Sequence, residues 1–157
     1  MEEMDLPSAD RHRLHDRFEI EQLLTSYGYA IDRRDRELWL QVWHENAIYD
    51  VVCPRQTCTG HAELLIWLDA VGRDFQITNH FGTNTQIHFT GTDTATAVGR
   101  CAAMFVGTDG SYSIGAATYD DRLERRDGQW RLSYRRVDAN HLAFPKEVNL
   151  VLNPDRA

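Results

Sequence analysis

The sequence is short of several features, and each shortage excludes something. No apolar run approaches the ~20 residues that a membrane-spanning helix needs, so no membrane segment is expected. The opening residues Met1-Glu2-Glu3-Met4-Asp5 are acidic and lack an apolar core, so they do not read as a secretory signal. There are three cysteines, Cys53, Cys58 and Cys101. An odd, unclustered set builds neither a disulfide framework nor a paired-cysteine metal site and fits a reducing, cytoplasmic setting. Basic residues number 17 against 24 acidic ones, a net charge of −7, which argues against a nucleic-acid footprint. Four prolines, at 7, 54, 145 and 154, leave no Pro-rich linker, and no repeat or low-complexity tract interrupts the chain. One domain over residues 10–145 is expected, with tails at 1–9 and 146–157.

What is present is enough for a core. A chain of 157 residues with 42% hydrophobic and 10% aromatic content buries roughly 70% of its unfolded surface. The first half has helical periodicity. Asp16 followed by Glu19 resembles a capping box. Ile20, Leu23, Leu24, Tyr27 and Ile31 then form one apolar stripe, in a helix expected to end near Asp32. Asp35 suits the N-cap of a second helix carrying Leu38, Trp39, Val42 and Trp43. A third helix fits Ala62 to Val71, closed by Gly72. Between the last two, Ala47 to Val52 reads as a short strand, followed by a turn at Cys53-Pro54-Arg55-Gln56.

From Ile77 onward the period changes to two, in segments rich in Thr, Val, Ile, Tyr and Phe. Gly91-Thr92-Asp93, Asp109-Gly110 and Asp127-Gly128 divide this half into strands at about 77–90, 94–107, 111–125 and 129–137. Helices first and an antiparallel meander afterwards make an α+β arrangement. The expected architecture is a cone-shaped half-barrel, with the N-terminal helices packed in a strongly curved, mostly antiparallel sheet. Such a cone is a natural small-molecule pocket.

Three segments carry a family resemblance. Glu21-Gln22-Leu23-Leu24, Tyr27, Asp32-Arg33-Arg34-Asp35 and Trp39 resemble the opening of SnoaL-like proteins, in the nuclear transport factor 2-like superfamily. Thr78-Asn79-His80-Phe81-Gly82-Thr83-Asn84 is similar to the segment holding that family's active-site histidine. Tyr119-Asp120-Asp121 and Glu124-Arg125-Arg126-Asp127-Gly128-Gln129-Trp130 resemble its closing hairpin. The aspartate–histidine combination is similar to the subgroup of scytalone dehydratase, bile-acid 7α-dehydratase and hexachlorocyclohexane dehydrochlorinase. Those lyases eliminate a small group from a hydrophobic substrate without cofactor or metal. The resemblance implies His80 as general base, Asp32 as its partner, Tyr27 as a polar active-site position and Arg135 as a leaving-group ligand. Two departures stand out: the strand at 94–107 has no second histidine, and the lysine that assists halide departure is absent.

The chemistry of these residue types agrees. An imidazole is matched to proton abstraction near pH 7, and a carboxylate on its other nitrogen fixes the tautomer. Tyr27 and Arg135 are suitable donors for developing charge. Catalysis requires Asp32 and His80 within about 3.2 Å of one another and facing one cavity. Trp39, Trp43, Trp67, Met104 and Phe105 are candidates to line it. Structural roles fit the same residues: Asp32 as a helix end bonded to Arg33 or Arg34, Tyr27 as core, Arg135 as partner of Asp120 or Asp121. Simple alternation puts His80 with Gly82, Asn84 and His88, opposite Phe81, Ile87 and Phe89, unless a bulge near Gly82 intervenes.

The expected ligand is a small hydrophobic ring compound, and dehydration the expected reaction. The alternatives are an isomerase of the ketosteroid-isomerase type using Asp50, a polyketide cyclase, or a non-catalytic module for ligand binding or dimerisation. His12 and His15 lack a carboxylate at ligand spacing, so no metal is expected, and no cofactor motif is present. Val98, Met104 and Ile114, at alternating positions, suit the outer face of the sheet for self-association as a dimer or trimer.

Overall fold

The computed structural model of the protein describes residues 7–52 and 55–143. The chain runs α1 (Ser8–Arg33), α2 (Arg36–Val42), β1 (Trp43–Val51), β2 (Gln56–Thr59), α3 (Gly60–Asp74), β3 (Phe75–Phe89), β4 (Thr94–Gly107), β5 (Tyr112–Arg126) and β6 (Gln129–Ala143). The six strands form one sheet in the order β2-β1-β6-β5-β4-β3. All neighbours are antiparallel except β1 and β6, which run parallel. Register shifts in the β1–β6, β3–β4 and β5–β6 pairs mark where the long strands bend. The result is the curved, unclosed sheet around helices that the sequence predicts.

The helix α1 begins two turns before the expected cap. Pro7 occupies the N-cap without a side-chain bond, and Asp16 lies inside the helix, buried. Its carboxylate accepts Arg125 Nη1 at 2.6 Å and Trp130 Nε1 at 3.2 Å. The capping-box reading therefore fails because a tertiary contact to the β5–β6 hairpin claims that carboxylate. Pro7 to Ala9, expected in a tail, open this helix; residues 1–6 and 144–157 lie outside the described residues, as do Cys53 and Pro54 of the expected turn. Asp35 does cap α2, accepting Leu38 N–H at 3.0 Å. The short β2 was not expected. It pairs with β1 from Val51↔Gln56 to Ile48↔Thr59.

The stripe of α1 is buried at Ile20, Tyr27, Ala30 and Ile31. It packs on β3 and β6, and on β4 every inward position from 95 to 103 is small: Ala95, Ala97, Gly99, Cys101 and Ala103. Gly28 sits mid-helix beside β3. A Cβ there would lie 3.6 Å from His80 O and 3.8 Å from His80 Cβ, ordinary contact distances. A helix-interior glycine costs about 0.5–1 kcal/mol relative to alanine. Gly28→Ala is accordingly expected to raise Tm by roughly 1–4 °C; a lower Tm in thermal denaturation would show that the helix–strand approach is tighter than this.

On the outer face of the sheet, Ile77, Phe81, Val98 and Ile114 are exposed, with Met104 between Asn79 and Ile114 in the register. No helix among the described residues is long and apolar enough to cross a membrane.

Candidate active site

Asp32 stands in the last turn of α1, and His80 faces it from β3. His80 Nδ1 lies 2.6 Å from Asp32 Oδ1, and the His80 backbone N–H donates to Asp32 Oδ2 at 2.8 Å. Thr78, two residues earlier on the same strand face, donates its hydroxyl to Asp32 Oδ1 at 2.9 Å. The side chains are 19% (Asp32) and 9% (His80) exposed. Partial burial opposes ionisation of Asp32, but the bonds from His80 and Thr78 outweigh it and hold the carboxyl below its ordinary pKa.

The bulge that this inward placement needs is present. The β3–β4 register shifts between Thr83 and Gln86, and Asn84 adopts φ 54 there. Before the shift, Thr78 and His80 point at α1 while Ile77 and Phe81 are exposed; after it, Ile87 points inward. One extra residue exchanges the two faces. The shift lies just beyond Gly82.

A cavity of about 50 Å³ adjoins the pair. Tyr27 and Gly28 of α1, His80 of β3, Cys101 of β4, Tyr119 of β5 and Arg135 of β6 line it. Its floor is a buried cation. Arg135 donates from Nε and Nη2 to the two oxygens of Asp121, both at 2.7 Å, and each side chain is 2% exposed. The guanidinium is sandwiched between the rings of Tyr27, at 4.0 Å, and Tyr119, at 4.3 Å. Burial opposes its charge, and Asp121 more than offsets that, so its pKa is raised further. The third guanidinium nitrogen, Nη1, is buried without a hydrogen-bond partner. Tyr27 Oη meets Tyr49 Oη at 3.1 Å. Burial pushes the hydroxyls of Tyr27, Tyr49 and Tyr119 up, keeping them protonated at neutral pH.

The structure thus brings Asp32, His80, Tyr27 and Arg135 together. It does not bring the expected tryptophans. Trp39 and Trp43 are fully buried, and Trp39 stacks on Trp67 at 5.8 Å in an aromatic cluster behind Tyr27 and Tyr49. Trp39 Nε1 donates to Leu64 O at 3.1 Å. Phe105 meets the His80 ring edge-on at 5.6 Å without lining the cavity. Met104 occupies the opposite, outer face. The cavity wall is consequently more polar than an apolar cone. Asp50 turns away from it, accepting Thr57 Oγ1 at 3.0 Å and Tyr134 Oη at 3.4 Å. That orientation removes the expected basis for an Asp50 isomerase.

Tyr49, Tyr119, Asp121, Thr78 and Arg34 were not singled out as site residues by sequence. Arg34 and Asp121 entered as structural partners of Asp32 and Arg135, Thr78 and Tyr119 only as parts of family segments, and Tyr49 not at all. In the first half of α1, His15 does have carboxylates at ligand spacing, contrary to the sequence expectation: His15, Asp16 and Glu19 bring ligand atoms within 4.8 Å of one another, but Asp16 is already bonded to Arg125 and Trp130.

Asp32 yields a pH prediction. Its folded pKa lies below the unfolded one, so its bonds stabilise the fold above the ordinary carboxylate pKa, and this contribution is lost as pH falls through the lowered value. The loss of urea resistance between about pH 6 and pH 3 is expected to be smaller in Asp32→Asn than in the parent protein. Equal losses in urea titrations would contradict it.

A half-open α+β cone with a carboxylate–imidazole pair beside an internal cavity defines the class of protein. Residues 12–136 match the SnoaL-like domain family, and the chain belongs to that family within the nuclear transport factor 2-like superfamily. It is similar to the gamma-hexachlorocyclohexane dehydrochlorinase of Sphingobium indicum, with 26% identity over 134 residues, 85% of this chain and 86% of the relative. A crystal structure of LinA superposes with a TM-score of 0.84 at 25% identity, over 88% of this chain and 95% of the other. A hexachlorocyclohexane dehydrochlorinase from Novosphingobium barchaimii shares the fold, with a TM-score of 0.84 at 23% identity over 91% and 99% of the two chains.

Proposed function

We propose that the protein is a cofactor-independent lyase that eliminates water from a small hydrophobic ring compound through the Asp32–His80 pair. The observation that carries this reading is the 2.6 Å bond between His80 Nδ1 and Asp32 Oδ1 at the wall of the cavity. With Nδ1 held by the carboxylate, Nε2 is the ring atom free to take a carbon-bound proton. The electron pair of that C–H bond forms the double bond, and the hydroxyl on the adjacent carbon leaves as water, taking up the proton that the His80 imidazolium gives back. Tyr27, kept neutral by burial, donates to the departing oxygen, and Arg135 Nη1 is a further donor without a partner. Similarity to dehydrochlorinases supports elimination as the reaction class. No lysine lies among the described residues, which favours loss of water over loss of halide.

The size of the cavity narrows the substrate. At about 50 Å³ it falls short of the ~150 Å³ that encloses a benzene ring. It accepts the reacting carbons and the leaving group, while the rest of the ring system lies toward the exposed Thr25, Thr85 and Arg100 at its outer part. The exposed outer-face side chains Ile77, Phe81, Val98 and Ile114 support self-association as a dimer or trimer, which sedimentation velocity resolves.

The test is a panel of hydroxylated and chlorinated ring compounds, gamma-hexachlorocyclohexane included, assayed for alkene product, water loss by mass spectrometry and chloride release. Alkene from a hydroxylated member, abolished in His80→Ala, is the expected result. Chloride release alone would change the leaving group. Binding of panel members without any turnover would leave a ligand-binding module in place of an enzyme.

A further inference from the structure

Two local departures converge on one arginine. Arg34 follows α1 with φ 57, a left-handed conformation that non-glycine residues rarely adopt. Gly72 lies inside α3, where the sequence pattern predicts a helix end. A Cβ at Gly72 would meet Arg34 Nε at 3.3 Å and Cδ at 3.4 Å, so this glycine clears the path of the Arg34 side chain. Along that path the guanidinium reaches β3. Nη1 donates to Thr78 Oγ1 at 2.8 Å and to Ile31 O, and Nη2 donates to Phe75 O at 3.2 Å.

The direction of each bond follows from the donor inventory. Arg34 has no acceptor, so Thr78 Oγ1 accepts from it. The single hydroxyl proton of Thr78 is then free to go to Asp32 Oδ1, 2.9 Å away. Asp32, receiving Thr78 on Oδ1 and the His80 backbone N–H on Oδ2, is held as an acceptor. Its remaining partner, His80 Nδ1, must therefore carry hydrogen. We propose that Arg34 and Thr78 are positioning residues: the chain Arg34 to Thr78 to Asp32 holds Oδ1 against His80 Nδ1–H and so keeps Nε2 bare toward the cavity. The catalytic consequence rests on the lyase reading above; the tautomer itself does not.

A simpler role, stapling α1 to β3, uses the same contacts and must be separated from this one. Other charges around Asp32 are few: His80 on β3, Arg34 at its own helix end and the Cys101 thiol across the cavity, while Arg135 and Asp121 neutralise one another. Thr78→Val removes the hydroxyl at nearly constant volume, and Thr78→Ser restores it. Nitrogen-15 NMR of the imidazoles in the full chain reads the tautomer without any substrate.

The parent protein and Thr78→Ser are expected to hold neutral His80 with Nδ1 protonated and Nε2 bare. Thr78→Val is expected to shift and broaden the low-field Nδ1–H proton resonance of His80, because the carboxylate is no longer held against it. It is also expected to move Asp32 protonation up, because the carboxylate loses a hydrogen bond. If elimination is detected, kcat falls in Thr78→Val with little change in KM and returns in Thr78→Ser. A Thr78→Val protein with the parent Nδ1–H resonance and only a lower Tm would leave the staple and overturn the positioning role. Failure of the elimination assay with an altered Nδ1–H resonance would overturn the lyase reading alone.

Discussion

Removal of the His80 imidazole by His80→Ala is expected to lower kcat/KM for elimination by about 10²–10⁴-fold, the range supplied by a positioned general base. Little stability should go with it. Asp32 keeps its bonds to Thr78 and to the residue 80 backbone N–H, so no buried charge is stranded. Asp32→Asn is expected to fall by up to about 10⁴-fold, for a different reason. An amide in place of the carboxylate can present N–H to Nδ1, which stabilises the tautomer with Nε2 protonated and unable to act as base. Steady-state rates on a turned-over panel member check both variants. An Asp32→Asn enzyme within about threefold of the parent would show that orientation of His80 does not limit the reaction.

The largest stability effect is expected at Asp121. Arg135 is buried between two tyrosine rings and bonded through two nitrogens to a carboxylate that is itself buried. Asp121→Ala leaves a guanidinium in the interior without its counter-charge, at a cost of about 3–5 kcal/mol. For a domain of this size that corresponds to roughly 6–20 °C in Tm. Replacing both partners by apolar residues of similar bulk, Asp121→Leu with Arg135→Met, is expected to destabilise less than either single change, because no charge remains to be buried. A double-mutant cycle from denaturant unfolding measures this coupling. Additive single effects would mean that water already solvates Arg135. The same double variant is expected to lose activity, since the cavity loses the Nη1 donor.

Much of the fold was legible along the chain. The i, i+3, i+4 stripe on α1 is decided by local periodicity, and it appears as the buried face containing Ile20, Tyr27 and Ile31. Asp127-Gly128 produced the turn its residue types favour, with φ 52 and 76; three of the long strands fall within two residues of their expected bounds, and β6 continues past the expected 137 to Ala143. The site was legible in part. Asp32 and His80 are 48 residues apart, and residue chemistry with the family pattern sufficed to pair them. The tryptophans were misplaced because an apolar aromatic suits a pocket wall and a core equally well. Their packing partners on α3 and β1 decide between the two.

What the sequence determined by itself was therefore local or compositional: helices before strands, the turn positions, and the residue types able to run a proton transfer. Three things belonged to the tertiary structure. Asp16 serves the β5–β6 hairpin because Arg125 and Trp130 fold against it. His80 faces the cavity because one bulge, at Thr83 to Gln86, reverses the strand face. Arg135 sits under the cavity because Asp121, opposite it on the neighbouring strand, makes burying its charge possible. Each depends on which distant segments become neighbours. Composition and spacing carry no information on that until the sheet has curved.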